Sequence, residues 1–219
     1  DYEASLDYGA EGGIQVGKTL NGRMMNPNEF TFTISGNDEA SREKLRAAGE
    51  NGEFKNTLQR GDGVEEVMHI LQKLTFTEAD ADQTYSFTLA ERQDTIPGVT
   101  NDPNQYTVTI AVRDNGDGTL DAVTKVWQGE TELASAGTAA GDYAPVKVSF
   151  VNNYKAQSVS VGVNDGLRGT KTLWGRDSLE NETFDFTLEP TGDTVQAVAD
   201  GKVTMGDTAA SVANLTEGE

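Results

Sequence analysis

Three polar residues of this chain stand where the strand pattern calls for apolar ones. On a half-buried strand, residues i, i+2 and i+4 share one face. Ile14, Val16 and Leu20 mark the apolar face of one such run, and Lys18 falls in the same phase. Tyr85, Phe87 and Leu89 mark another, which Glu91 continues; Val146, Val148 and Phe150 mark a third, continued by Asn152. An isolated ammonium or carboxylate in an apolar interior is costly, so burial drives both toward their neutral forms. A neutral lysine amine is a nucleophile, and a protonated glutamic acid can hydrogen-bond a side-chain amide and polarise its carbonyl. Attack of the Lys18 nitrogen on the Asn152 side-chain carbon, with Glu91 moving protons, would release ammonia and leave an amide bond. The product carries no ammonium, so the penalty for burying one disappears with it. Two plainer readings stand beside this one: three strand ends that have reached solvent, or a buried Lys–Glu ion pair with no bond. The coincidence of phase on a first, a middle and a last strand weighs against both.

The elements that must hold these residues alternate with period two. Besides the three runs above, Phe30-Phe32-Ile34 and Tyr106-Val108-Ile110-Val112 show it. Turn signals separate the runs at Asn26-Pro27-Asn28, Pro97-Gly98 and Asp114-Asn115-Gly116-Asp117-Gly118. A helix is expected from Ser41 to Ala48, after a Ser or Asp cap. Residues 64–72 suit a helix or a strand equally. Many alternating strands with few helices indicate an all-β, immunoglobulin-like β-sandwich.

The chain also repeats itself. The block KTLNGR beginning at Lys18 returns as KTLWGR at Lys171, and Phe30/Phe32 return as Phe184/Phe186. Asp1-Tyr2-Glu3-Ala4 and Asn153-Tyr154-Lys155-Ala156 occupy equivalent places before the two blocks. A period of domain size means tandem domains rather than a solenoid. The expected organisation is one complete module over residues 1–155, followed by the N-terminal part of a second, truncated one over residues 156–219. Lys171 would be the second module's crosslink lysine, with no matching glutamate or asparagine in this sequence and therefore no bond.

Composition narrows the function classes. The formal charge of −19 repels phosphate backbones and anionic membrane faces, so neither nucleic acid nor a membrane is an expected partner. With no cysteine, disulfides and thiolate chemistry are excluded, and the single His69 rules out a multi-histidine metal site. No cofactor or metal site is expected. Read as a calcium loop, residues 114–121 would put Gly116 and Gly118 at ligand positions, so a tight hairpin is the better reading. Trp127 and Trp174 could stack on sugars but suit ordinary packing better. No apolar run reaches membrane-spanning length, and a signal and anchor, if the parent is exported, lie outside this sequence.

The blocks GKTLNGR, NEFTFTI, LTFTEADADQTYSFTLAE, YTVTIAVRDNGDGTLDA and VSFVNNY follow one another over roughly residues 14–155. In this order they resemble the streptococcal pilin isopeptide-linkage domain family, the FctA-like modules of Gram-positive pilins and surface adhesins. The resemblance implies a pilin-type β-sandwich in which the first-block lysine is bonded to the asparagine of an F-x-N-x-Y terminus. Transferred by motif, these are Lys18 and Asn152, with Glu91 as the catalyst and Asn153 excluded by its phase. It further implies a structural shaft or spacer module, self-crosslinked in a single turnover and not a conventional enzyme. Such a module sits on the cell surface, anchored to the cell wall, with neighbouring modules of the same polypeptide or pilus as partners. The alternative is an adhesin domain recognising a host glycan or matrix protein; the tandem repeat favours the spacer.

Overall fold

The computed structural model of the protein describes residues 3–10, 13–138, 145–156, 174–175, 183–203 and 209–213. The chain forms two compact units, residues 1–158 and 159–219.

In the first unit the elements run β1 (Ser5–Asp7), β2 (Ile14–Asn21), β3 (Thr31–Gly36), α1 (Glu39–Ala47), β4 (Glu53–Lys55), β5 (Glu66–Ile70) and β6 (Thr75–Thr77). They continue with β7 (Thr84–Glu91), β8 (Val99–Thr100), β9 (Gln105–Asp114), β10 (Leu120–Gln128), β11 (Thr131–Gly137) and β12 (Val146–Tyr154). Six strands make one antiparallel sheet in the order β11-β10-β9-β7-β3-β4, and four make a second in the order β5-β2-β12-β8. Phe150 of the second sheet packs on Phe32 and Tyr106 of the first, with ring centroids 5.3 Å apart in both pairs. This is the sandwich that the alternation predicts, since the long strands β2, β7, β9, β10 and β12 each offer one apolar face to the space between the sheets.

The sequence pattern does not reveal that β2 and β12 are parallel neighbours, with Phe150 opposite Lys18 and Asn152 opposite Leu20. The first and last strands of the two sandwich sheets therefore lie side by side and run the same way. The five expected strands all form. Residues 64–72 resolve as strand β5, because pairing with β2 sets Ile70 opposite Ile14 and Glu66 opposite Lys18. Helix α1 starts two residues earlier than expected, because Asp38 caps it by accepting a hydrogen bond from the Ser41 N–H at 2.7 Å. Alternation does not register strand β10, because Thr124 interrupts its inward series Leu120, Ala122, Val126; buried Thr124 Oγ1 instead meets the Tyr8 hydroxyl at 2.8 Å. The β9–β10 turn is a hairpin in which the Asp114 and Asp117 carboxylates accept from the N–H groups of Gly116 and Thr119.

The described part of the second unit is a hairpin, β13 (Thr183–Thr187) and β14 (Ala209–Ala213), with helix α2 (Asp193–Ala199) between its strands.

Candidate functional site

Lys18, Glu91 and Asn152 meet in the core of the first unit. Lys18 and Asn152 rise from the parallel pair β2 and β12, on the face turned to the other sheet, and Glu91 ends β7 in that sheet. Lys18 and Asn152 have no exposed surface, and Glu91 is 4% exposed. Lys18 Nζ donates to Glu91 Oε2 at 2.8 Å, and Asn152 Nδ2 donates to Glu91 Oε1 at 2.6 Å. Both nitrogens thus rest on one carboxylate. Two aromatic rings flank the lysine: its Nζ lies 4.3 Å from the Phe30 ring centroid and 5.9 Å from that of Phe32.

Burial pushes the Lys18 amine below its ordinary pKa, and the Glu91 charge opposes this only in part. Burial likewise pushes the Glu91 carboxyl above the usual carboxylate range, against the pull of Lys18. Both directions favour a neutral amine beside a neutral acid, which is the protonation state in which lysine is nucleophilic.

The amide of Asn152 is oriented by groups whose hydrogen-bonding sense is fixed. Its Oδ1 accepts from the backbone N–H of Asp102 at 2.8 Å, and an N–H can only donate. Its Nδ2 faces Glu91 and also Asn101 Oδ1 at 3.2 Å. Asn101 is fixed in turn, because its own Nδ2 donates to the Asp94 carbonyl at 2.7 Å. Glu91 therefore faces the nitrogen of the Asn152 amide and not its carbonyl oxygen. The polarising contact expected of Glu91 is made by a backbone N–H.

The five blocks agree with the family comparison. Residues 14–155 match the family described as FctA, Spy0128-like isopeptide containing domain. The chain belongs to this family. Among solved structures, the major pilin from Streptococcus pyogenes is 18% identical over 64% of this chain and 50% of its own, with a TM-score of 0.30. A mutant form of that major pilin is 17% identical with the same coverage and TM-score. The T3.2 major pilin protein from Streptococcus pyogenes is 14% identical over 70% of this chain and 53% of its own, with a TM-score of 0.29. The chain spans about half the length of the pilins it matches. Among curated proteins, none is similar enough to match.

Within the FctA-type module, Asn153 points outward, where its Oδ1 accepts from Asn21 Nδ2 at 3.1 Å. Glu66, the register partner of Lys18, is also buried, but its Oε1 is turned to the N–H groups of Thr57 and Leu58 and to the Thr57 hydroxyl. His69 is exposed on β5. Trp127 is half-buried with its Nε1 toward Thr109 Oγ1, and Trp174 is 90% exposed. Lys171 lies outside the described residues. Sequence reasoning missed Asn101, Asp102 and Glu66. Asn101 and Asp102 follow the two-residue strand β8, which is too short for alternation to register.

Proposed function

We propose that this FctA-type module is a shaft or spacer element of a Gram-positive pilus or cell-surface adhesin, closed by an autocatalytic isopeptide bond between Lys18 and Asn152. The observation that carries the reading is the buried contact of both nitrogens with the single Glu91 carboxylate. The buried pair holds one proton in excess of carboxylate and free amine, and burial favours the form in which Glu91 carries it. Attack by neutral Lys18 Nζ on Asn152 Cγ gives a tetrahedral centre with a negative oxygen and a positive Nζ. The former amide nitrogen then regains its lone pair and takes the proton held on Glu91 Oε1. Oε2 takes one from Nζ. Collapse restores the carbonyl, breaks the bond to Nδ2 and releases ammonia, leaving Glu91 protonated as it began.

The topology explains what such a bond would do. β2 opens the family-matched segment, residues 14–155, and β12 closes it, parallel and adjacent, so tension across that segment shears them along their shared ladder. A bond between Lys18 and Asn152 carries that tension from one strand to the other and spares nearly all the chain between them. On the chain-entropy account, closing a loop of this size stabilises by about 5 kcal/mol, and an amide, unlike a disulfide, resists reduction. A chain without cysteine has no disulfide to serve instead.

The domain reading supports a shaft. The β13–α2–β14 segment has the element order of β3–α1–β4, and Phe184 and Phe186 stand where the repeat places Phe30 and Phe32. We take residues 156–219 as the start of a second module in the same polypeptide, with Lys171 as its crosslink lysine. Intact-mass measurement tests the bond: the purified chain should weigh about 17 Da, one ammonia, less than its sequence. A mass equal to the sequence mass would reject the crosslink.

A further inference from the structure

The geometry points to Asp102 as a second participant in bond formation: its backbone N–H is the oxyanion donor for the Asn152 carbonyl, and its carboxylate locks that N–H in place. This rests on the Lys18–Asn152 reading above and assigns the stabilisation of the negative oxygen that forms there. That oxygen accepts a hydrogen bond from the Asp102 N–H, at 2.8 Å from Oδ1, in a contact sealed from solvent. A preorganised donor in a dry site lowers the barrier, because charge grows on its acceptor only as the bond to the nucleophile forms.

The local backbone is built around this contact. β8 pairs antiparallel with the end of β12, Thr100 opposite Asn153 and Val99 opposite Tyr154. The same register would next set Asn101 opposite Asn152 and Asp102 opposite Val151. The ladder is diverted there. The Val151 N–H is met by the Asp102 carboxylate, Oδ2, at 2.8 Å, and the Asp102 N–H turns to the Asn152 side chain. Every other polar group of Asp102 is also engaged. Its Oδ1 accepts from the Asn104 N–H at 2.9 Å, and its carbonyl accepts from Gln93 Nε2 at 2.8 Å. Gln93 also donates to the Glu91 carbonyl at 3.1 Å, so the end of β7 that carries the acid is tied to the residue that carries the donor. Gly98 lets β8 approach: it has φ +78°, and a Cβ there would meet the Tyr154 ring and the Lys155 carbonyl at 2.7 Å. The acid and the donor therefore grip opposite ends of one amide, Glu91 at the nitrogen that leaves and Asp102 at the oxygen that stays.

The test is a time course on the full chain. Cell-free translation is quenched into denaturant at intervals, and intact mass gives the fraction that has lost ammonia. Replacing Asp102 by its α-hydroxy acid swaps the amide for an ester, which deletes the N–H and keeps the carboxylate. Loss of one oxyanion donor should slow ammonia release roughly 100-fold. Melting of Glu91→Ala chains with and without the ester, neither of which crosslinks, checks that the fold is kept. An independent measurement needs no ester: in Glu91→Ala the Asp102 amide proton should be protected from hydrogen exchange like those of the neighbouring β12 ladder. Asp102→Ala, which keeps the N–H but loses the lock, should also slow the reaction, and Asp102→Asn, which keeps an acceptor for Val151, should restore much of the rate. Wild-type chain that loses no ammonia would overturn the crosslink itself. Wild-type chain that reacts, with the ester chain reacting as fast or the Asp102 amide exchanging freely, would overturn the oxyanion role alone.

Discussion

The hairpin β3–β4 and its counterpart β13–β14 are built alike and end in different surroundings. In the first, Thr31, Phe32 and Thr33 face Lys55, Phe54 and Glu53. In the second, Asp185, Phe186 and Thr187 face Ser211, Ala210 and Ala209, so the repeated aromatic position holds the same place in the register. A helix joins the strands in both. Yet Phe32 is fully buried and Phe186 is 41% exposed. The other edge of β3 is occupied by β7, which sets Phe32 opposite Glu91, and Phe32 touches Phe54 beside it and Phe150 across the sandwich. Among the described residues of the second unit, β13 pairs with β14 alone. The local sequence specifies the hairpin; the strands that arrive later in the chain specify the burial, and with it the environment that pushes the Lys18 amine below its ordinary pKa.

The largest difference between the units should be covalent. Glu91→Ala is expected to restore the missing ammonia mass and to destabilise the first unit by at least about 5 kcal/mol, since the closed loop is lost and Lys18 stays buried without its partner. For a domain of this size that corresponds to a melting temperature lower by roughly 10–20 °C. Lys171→Ala should change neither the mass deficit nor the melting of the first unit. A deficit of two ammonias in the wild-type chain would mean that the units are chemically equivalent after all.

Packing should separate them next. Phe32→Ala removes a ring from a closed core and should cost about 3–5 kcal/mol in chemical denaturation, whereas Phe186→Ala should stay within about 1 kcal/mol. Hydrogen exchange reads the same contrast along the backbone. Amides of β3, paired on both edges, should open only with the whole unit, and those of β13 should exchange by local opening at much lower cost. Equal protection in β3 and β13 would show that another strand covers β13.

The sequence pattern carried the sandwich and the three converging residues because each sits on a long strand with clear alternation. Lys18, Glu91 and Asn152 are legible as polar residues in an apolar phase. The partner that aims the Asn152 amide is not: Asp102 acts through a backbone N–H, which every residue but proline has, and it follows a strand of two residues. Parallel pairing of β2 with β12 is equally silent, since period two is the same whichever way a neighbour runs. β10 was hidden by Thr124, a polar residue that is buried because Tyr8 lies within hydrogen-bonding distance. Local alternation thus reports which face is buried, and hydrogen bonds between distant segments decide what that face does.

The helices give the smallest contrast and one that pH should control. Asp38 caps α1, which buries Ser41 and Leu45; its repeat position is Gly192, which gives α2 no side-chain cap, and α2 buries no residue. α1 is held to the first sheet by the Ser41 hydroxyl, which accepts from the Ser86 N–H at 2.8 Å, and to the turn between β6 and β7 by Lys44, whose Nζ reaches Asp80 Oδ2 at 2.6 Å. Asp80 also accepts from the Thr77 N–H at 2.7 Å and from the Tyr85 hydroxyl. Burial alone would raise the Asp80 carboxyl, but the bonds from Lys44, Tyr85 and Thr77 outweigh it and hold the group below the ordinary aspartate value. A carboxyl depressed in the folded state contributes stability that is complete above its unfolded pKa and is lost as pH falls through the folded one. Acidification from about pH 4 downward should therefore loosen α1, seen as falling amide protection in residues 39–47 after correction for intrinsic exchange, with little change in α2. Asp80→Asn should cost about 1–3 kcal/mol at neutral pH and weaken this acid response, leaving the part carried by the Asp38 cap, whose carboxyl is also held low by the Ser41 N–H. An acid response that persists unchanged in Asp80→Asn would place the sensitive carboxylate elsewhere.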